Sequence, residues 1–75
     1  MSLRGYSLRL VDAIKAANPR HPGVRLGKYC IAKGIPVNQI AKRFGVSRMT
    51  MYTWFTGTGV PRKDKIKLIE ELISS

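Results

Sequence analysis

The stretch between residues 37 and 57 combines cations with hydroxyl side chains, groups that are suited to binding rather than to bond breaking. Lys42 and Arg43 precede a glycine in this stretch, and Arg48 directly follows Ser47. A guanidinium presents a planar fork of donors that matches phosphates and the edge of guanine, whereas an ammonium acts as a compact charge. Hydroxyl groups both donate and accept hydrogen bonds. These residue types predict a surface that binds polyanions.

The groups that catalysis or metal binding would need are sparse. His21 is the single histidine and Cys30 the single cysteine, so no zinc site of the usual four-ligand kind is expected. Residues 13–63 contain no carboxylate for acid–base work, and the adjacent Glu70 and Glu71 are predicted to be solvated. Cys30 lies on the apolar stripe of its predicted helix, which favours a buried structural role. We therefore expect no enzyme, metal, cofactor or small-molecule substrate.

The charge of the chain is strongly positive. Its 75 residues include 14 Lys and Arg against 4 Asp and Glu, which gives a formal net charge of +10. Because the acids all lie outside residues 13–63, the cations of that window have no neighbouring acids in sequence. The expected partner is nucleic acid, then an anionic membrane surface, then an acidic protein. A chain of this length is expected to form one small domain, residues 1–75.

Glycine and proline divide the chain into five segments. The breaks are Asn18–Gly23, Gly34–Pro36, Gly45–Ser47 and Gly57–Pro61. Apolar residues recur at helical spacing in each segment, and strand-like alternation of useful length is absent. The sequence therefore predicts an all-α bundle of five short helices, at about residues 7–17, 24–33, 37–44, 48–56 and 62–73.

The third and fourth predicted helices are separated by a distinctive turn. Gly45 can adopt the left-handed conformation that ends a helix, and Ser47 is a natural N-cap for the next one. Val46 is expected to point inward beneath the turn. The inner faces of the two helices are then predicted to consist of Ile40, Phe44, Met51 and Trp54.

This stretch, about residues 37–57, resembles the helix-turn-helix motif of DNA-binding proteins. The residues that carry the resemblance are Ala41, Gly45, Val46-Ser47, Met51 and Trp54. The whole chain resembles the phage repressor and Cro-like family, in which a five-helix domain contains the motif, although the N-terminal helix and the loop at 19–22 depart from that pattern. The segment 34–55 is also similar to the DNA-binding end of site-specific recombinases, whose separate catalytic domain has no counterpart in this chain.

The resemblance implies that the helix at about 48–56 reads the major groove of duplex DNA. Arg48 is predicted to contact guanine, with Met49 and Thr50 near thymine methyl groups and Thr53 deeper in the groove. Met49 and Tyr52 could equally be core residues, and Tyr52 could instead reach a phosphate. The full set of predicted DNA-binding residues is Gln39, Lys42, Arg43, Ser47, Arg48, Met49, Thr50, Tyr52, Thr53 and Thr56.

The function expected on this basis is sequence-specific binding of double-stranded DNA by a small transcriptional regulator of phage or bacterial type. The alternative is a helix-turn-helix module that binds a polymerase or an assembly protein. A homodimer through the C-terminal helix is a further expectation, because one apolar stripe of that helix can face the core while Leu68 and Leu72 face a second copy. No apolar stretch is long enough to span a bilayer, and no secretory signal is expected at the N-terminus. The expected location is the cytoplasm of a bacterium or phage-infected host cell, in association with the nucleoid.

Overall fold

The computed structural model describes residues 8–74, which form five α-helices joined by short turns. Helix α1 spans Leu8–Ala16, α2 spans Pro22–Lys33, α3 spans Val37–Phe44, α4 spans Arg48–Thr56 and α5 spans Lys63–Ser74. No strand occurs among the described residues, so the predicted all-α class with five helices is confirmed. Residue 7, where the first helix was predicted to begin, lies outside the described part.

Helix α2 begins two residues earlier than predicted. Pro22 occupies its first turn, where the missing N–H costs nothing and the fixed φ already suits a helix. The imidazole Nδ1 of His21 accepts a hydrogen bond from the Gly23 N–H at 3.1 Å and caps the helix. The prediction of a loop through Gly23 is therefore wrong, because Pro22 starts the helix rather than preventing it.

Helices α2 and α4 form the centre of the bundle. Helix α2 also packs against α1 and α5, and α4 also packs against α1 and α3. Cys30 is fully buried in this core, as predicted. The largest fully buried side chains are those of Phe55, Ile14, Leu26, Ile40, Met51 and Ile69. Every helix except α5 contributes two or more buried apolar residues, so the core depends on all of the packed faces together.

Two glycines, four residues apart, let α2 and α4 approach closely. A Cβ atom added to Gly23 would lie 2.4 Å from the carbonyl oxygen of Trp54, and one added to Gly27 would lie 3.1 Å from the ring of Phe55. Residues four apart share one helix face, so the backbone of α2 lies directly on α4 along this line. The position of α4 therefore depends on the absence of side chains at these two sites.

Helix α5 is joined to α3 by a lysine that points into the structure. The Nζ of Lys65 donates a hydrogen bond of 2.9 Å to the carbonyl oxygen of Phe44, in the last residue of α3. A cation at this position also interacts favourably with the negative end of the α3 dipole. Lys65 therefore fixes the start of α5 beside the turn between α3 and α4. None of the described helices is both long and apolar enough to cross a lipid bilayer.

Candidate nucleic-acid interface

The turn between α3 and α4 has the geometry that the sequence predicts. Gly45 has φ 69° and ψ 32°, in the left-handed region that glycine adopts without steric cost. The N–H of Val46 donates to the carbonyl of Ala41 at 3.0 Å, and the N–H of Gly45 donates to that of Lys42 at 3.1 Å. These two bonds are those of a Schellman motif and satisfy carbonyls at the end of α3. The predicted glycine cap is confirmed.

Ser47 starts α4 as its N-cap. Its backbone is extended, and its Oγ accepts a hydrogen bond of 3.1 Å from the N–H of Thr50. The same Oγ donates to the Thr50 hydroxyl at 3.1 Å. The predicted cap is confirmed, and Ser47 remains exposed at the surface.

The inner faces of α3 and α4 are also those predicted. Ile40, Phe44, Met51 and Trp54 are all buried, and Val46 is partly buried against the core. The rings of Phe44 and Trp54 meet edge to face, with centroids 6.0 Å apart at 85°. Edge-to-face aromatic pairs stabilise a core beyond the area that they bury. This pair is one of the contacts that hold α3 against α4.

The outward face of α4 begins with two exposed side chains. Arg48 is exposed, and Met49 is 72% exposed, which excludes the core alternative for Met49. Tyr52 is intermediate: its ring packs against the core while part of it reaches the surface. An amphipathic ring at the margin suits a contact at the edge of an interface.

The threonines of α4 are less free than the sequence suggests. The Thr53 hydroxyl donates to the Thr50 carbonyl at 2.6 Å, and the Thr56 hydroxyl donates to the Tyr52 carbonyl at 2.9 Å. Thr50, Thr53 and Thr56 are each only partly exposed. Hydroxyls that bond back to their own helix have less capacity left for a ligand. Arg48 and Met49 are therefore the most accessible predicted residues of α4.

The segment after α4, which was predicted only as a break between helices, covers one side of α4. Residues 57–62, here called the linker, join α4 to α5. The N–H groups of Thr58 and Gly59 both donate to the carbonyl of Thr53 at 3.0 Å. A Cβ atom on Gly59 would lie 2.7 Å from the Thr53 hydroxyl oxygen, so the linker backbone lies directly on that side chain. Thr53 therefore lies under the linker rather than alone on an open face.

The predicted DNA-binding residues of α3 are exposed, and one of them lines a cleft next to α5. Gln39, Lys42 and Arg43 are all exposed. Arg43 lines a cleft of about 230 Å³ between α3 and α5, together with Leu68 and Glu71. Arg43 therefore lies beside α5.

The described acids are confined to the first and last helices. Asp12 lies on α1, and Asp64, Glu70 and Glu71 lie on α5. Helices α2, α3 and α4 and their connecting turns carry cations without a carboxylate of their own, although two acids of α5 lie nearby: Glu71 lines the cleft beside Arg43, and Asp64 lines the cleft beside Thr50. Within residues 8–74, no group of three or more His, Cys, Asp or Glu side chains is placed to hold a metal ion.

The spacing of Gly23 and Gly27 was the available sequence signal for the close contact between α2 and α4. The prolines near the start of α2 indicated a loop there, so the spacing of the two glycines was not interpreted as one face of a helix. Val60 had no such signal: it is 74% exposed, but isolated apolar residues in a loop are common in any sequence.

Comparison with protein families finds a similarity over residues 31–56, which match the model of the helix-turn-helix domain of resolvase. This range contains α3, the turn and α4. The match supports the recombinase-type resemblance of the motif, and it does not confirm the repressor and Cro-like family. Neither the curated proteins nor the solved structures give a match. The turn geometry and the family match together support a helix-turn-helix within residues 31–56.

Proposed function

We propose that this protein binds duplex DNA sequence-specifically, with α4 in the major groove, and acts as a small transcriptional regulator of phage or bacterial type. The observation that carries the proposal is a helix-turn-helix whose two helices and turn contain no acid. An α-helix fits the major groove, where each base pair presents a distinct pattern of donors and acceptors. The proposal places the protein with the nucleoid in the cytoplasm of such a cell.

Specific residues have separate roles in this proposal. Arg48 projects from the first turn of α4, the turn that enters the groove in this class of docking, and contacts guanine O6 and N7. Met49 is the exposed apolar side chain beside it and contacts a thymine methyl. Lys42 on α3 contacts the sugar-phosphate backbone, together with Gln39. Phosphate contacts fix the register of the helix, and base contacts select the sequence.

Matched titrations test this division of roles. A preferred duplex is first selected from random DNA, and binding is then measured on that duplex and on a scrambled one over a range of salt. If about six phosphates are neutralised, log affinity falls with log salt at a slope of about −5. Arg48→Ala is expected to cost about 1–3 kcal/mol on the preferred duplex and much less on the scrambled one.

Lys42→Ala serves as the comparison, because it removes a cation from α3 instead of α4. It is expected to weaken both duplexes by similar factors and to make the salt slope shallower by about one unit. A slope near zero for the unaltered protein contradicts DNA binding through phosphates. Equal losses on both duplexes for Arg48→Ala would assign Arg48 to the backbone and move the reading face elsewhere.

A homodimer through α5 belongs to the same proposal. Leu68 is 45% exposed and borders the α3–α5 cleft with Leu72. Two copies joined there read half-sites about 34 Å apart, one turn of the duplex. Light scattering of the free protein and of its DNA complex measures the stoichiometry, and a monomer in both states contradicts the dimer.

The α3–α5 cleft also favours a second candidate function, that of a module that binds another protein. This alternative requires that the protein select no duplex from random DNA.

A further inference from the structure

The linker lies along one edge of α4 in a fixed conformation. The carbonyl of Thr53 accepts from the N–H groups of Thr58 and Gly59 at 3.0 Å each, and from the Thr58 hydroxyl at 3.3 Å. The hydroxyls of Thr56 and Thr58 are 3.2 Å apart. A loop held by several bonds to one helix presents its side chains in a defined position relative to that helix, which reduces the ordering cost of binding.

From Gly59 the chain runs beside α4 toward the turn between α3 and α4. A cleft of about 480 Å³ is bordered on one side by Val46, Thr50 and Trp54. Its other side is formed by Val60–Arg62 and by the first residues of α5. At the end of this path, Lys65 is bonded to the last residue of α3. The linker and the start of α5 thus flank α4 on its Thr50 edge.

The exposed side chains at this edge and next to it are one apolar group, two cations and one carboxylate. Val60 is 74% exposed, the highest value among the described large apolar residues, while the adjacent Pro61 is buried and anchors the segment. Arg62 and Lys63 are both exposed. Asp64 also lies here, in the first turn of α5, where its carboxylate interacts favourably with the positive end of the helix dipole. A rigid loop with an outward valine between a recognition helix and two cations matches the edge of a DNA groove, where apolar sugar and base edges adjoin phosphates.

We propose that the linker and Lys63 form a second DNA-contacting element beside α4. Val60 packs against the sugars and base edges at the rim of the groove, and Arg62 and Lys63 neutralise phosphates of the strand along the Thr50 edge of α4. This inference rests on the proposed DNA binding and names residues outside the helix-turn-helix. It extends the recognised DNA by a segment that α4 itself does not reach.

The test compares linker variants with a matched control on the duplex selected for the full chain. Arg62→Gln and Lys63→Gln should each make the salt slope shallower by about 0.9, the value for one phosphate contact. Lys67→Gln removes an exposed cation from α5 beyond the linker and should leave the slope unchanged. Val60→Ser should weaken binding about tenfold, because it removes the apolar contact that the DNA complex would bury, and Val60→Thr should weaken binding less because it keeps the branched shape.

A hydroxyl-radical footprint of the unaltered protein gives a readout that does not depend on any variant. It should show protected sugars on one strand beyond the segment covered by α4, and Val60→Ser should lose protection only there. If the linker variants bind with unchanged affinity and slope while Arg48→Ala is impaired, the linker proposal is overturned and the proposed function stands. If the unaltered protein selects no duplex, both proposals are overturned.

Discussion

Replacement of Gly23 by alanine tests whether the close approach of α2 determines where α4 lies. The added Cβ atom would be 2.4 Å from the carbonyl oxygen of Trp54 and 2.7 Å from its carbonyl carbon and its Cβ atom. Real Cβ atoms do not approach other heavy atoms so closely. Two of the three atoms belong to the α4 backbone, so no rotation of a side chain relieves the contact. The helices must separate, or the first turn of α2 must unwind.

The change in stability of Gly23→Ala depends on two opposing contributions, the higher helix propensity of alanine and the cost of overpacking. Alanine favours a helix over glycine by about 1 kcal/mol in an interior position, and by less in a first turn. Overpacking of a core costs about 1–3 kcal/mol, and a clash with backbone belongs at the upper end. We therefore expect Gly23→Ala to lower the free energy of unfolding by about 2 kcal/mol. For a domain of this size that is a fall in Tm of roughly 10–15 °C.

Thermal and urea unfolding of three glycine variants provides the measurement. At Gly27 the added atom meets the Phe55 ring at 3.1–3.2 Å, and a side chain can shift slightly, so Gly27→Ala should be milder than Gly23→Ala. At Gly45 nothing lies within 4 Å, but φ is +69°, so Gly45→Ala should lose about 1–2 kcal/mol through backbone strain alone. A Tm of Gly23→Ala within 2 °C of the unaltered protein would refute the argument from close packing.

Three further changes have defined expectations in the same unfolding assays. Lys65→Met should lower the free energy of unfolding by about 1 kcal/mol, because the carbonyl of Phe44 loses a charged donor. Lys67→Met, on the exposed face of α5, should change the free energy of unfolding by less than about 0.5 kcal/mol. Equal effects of the two lysine changes would contradict the role of the Lys65 bond. Ser47→Ala removes the N-cap of α4 and should lower the free energy of unfolding by about 1 kcal/mol. An unchanged free energy of unfolding would show that water replaces the cap. Trp54→Ala should lose about 3–5 kcal/mol and leave little folded protein, and a cooperative melt near that of the unaltered protein would contradict its place in the core.

Local sequence signals were sufficient for the number and order of the helices and for the turn between α3 and α4. The turn depends on residues within a few positions of one another: Gly45 for a positive φ, Ser47 for a cap, and apolar residues at helical spacing on each side. Because each of these preferences acts through neighbouring backbone groups, the sequence pattern contains all the necessary information. The buried positions of Met51 and Trp54 follow from the same periodicity.

What the sequence did not predict is partly local capping and partly packing between helices. Proline near the start of a helix can either prevent the helix or occupy its first turn. The His21 cap, which shows that Pro22 occupies the first turn, was recognised only in the structure. The contact of Gly23 with Trp54 joins residues far apart in the chain, and no local pattern specifies which helices meet. The contact of Gly59 with Thr53 is local, but it depends on a turn conformation that the sequence pattern did not specify: the sequence placed Thr53 on a helix face, and the chain turns back beside it.

The small accessible surface of α4 limits the specificity that one copy can achieve. Each good base contact discriminates by about 1–3 kcal/mol, whereas specific DNA binding exceeds non-specific binding by about 4–10 kcal/mol. Arg48 and Met49, the most accessible predicted residues of the helix, would reach only the lower part of that range. A sequence-specific regulator of this architecture therefore needs further discrimination from outside α4. The proposed contact of Val60 on the linker would add discrimination in each copy, and the proposed pairing through Leu68 would double the full set of contacts, so the two proposals address the same physical requirement.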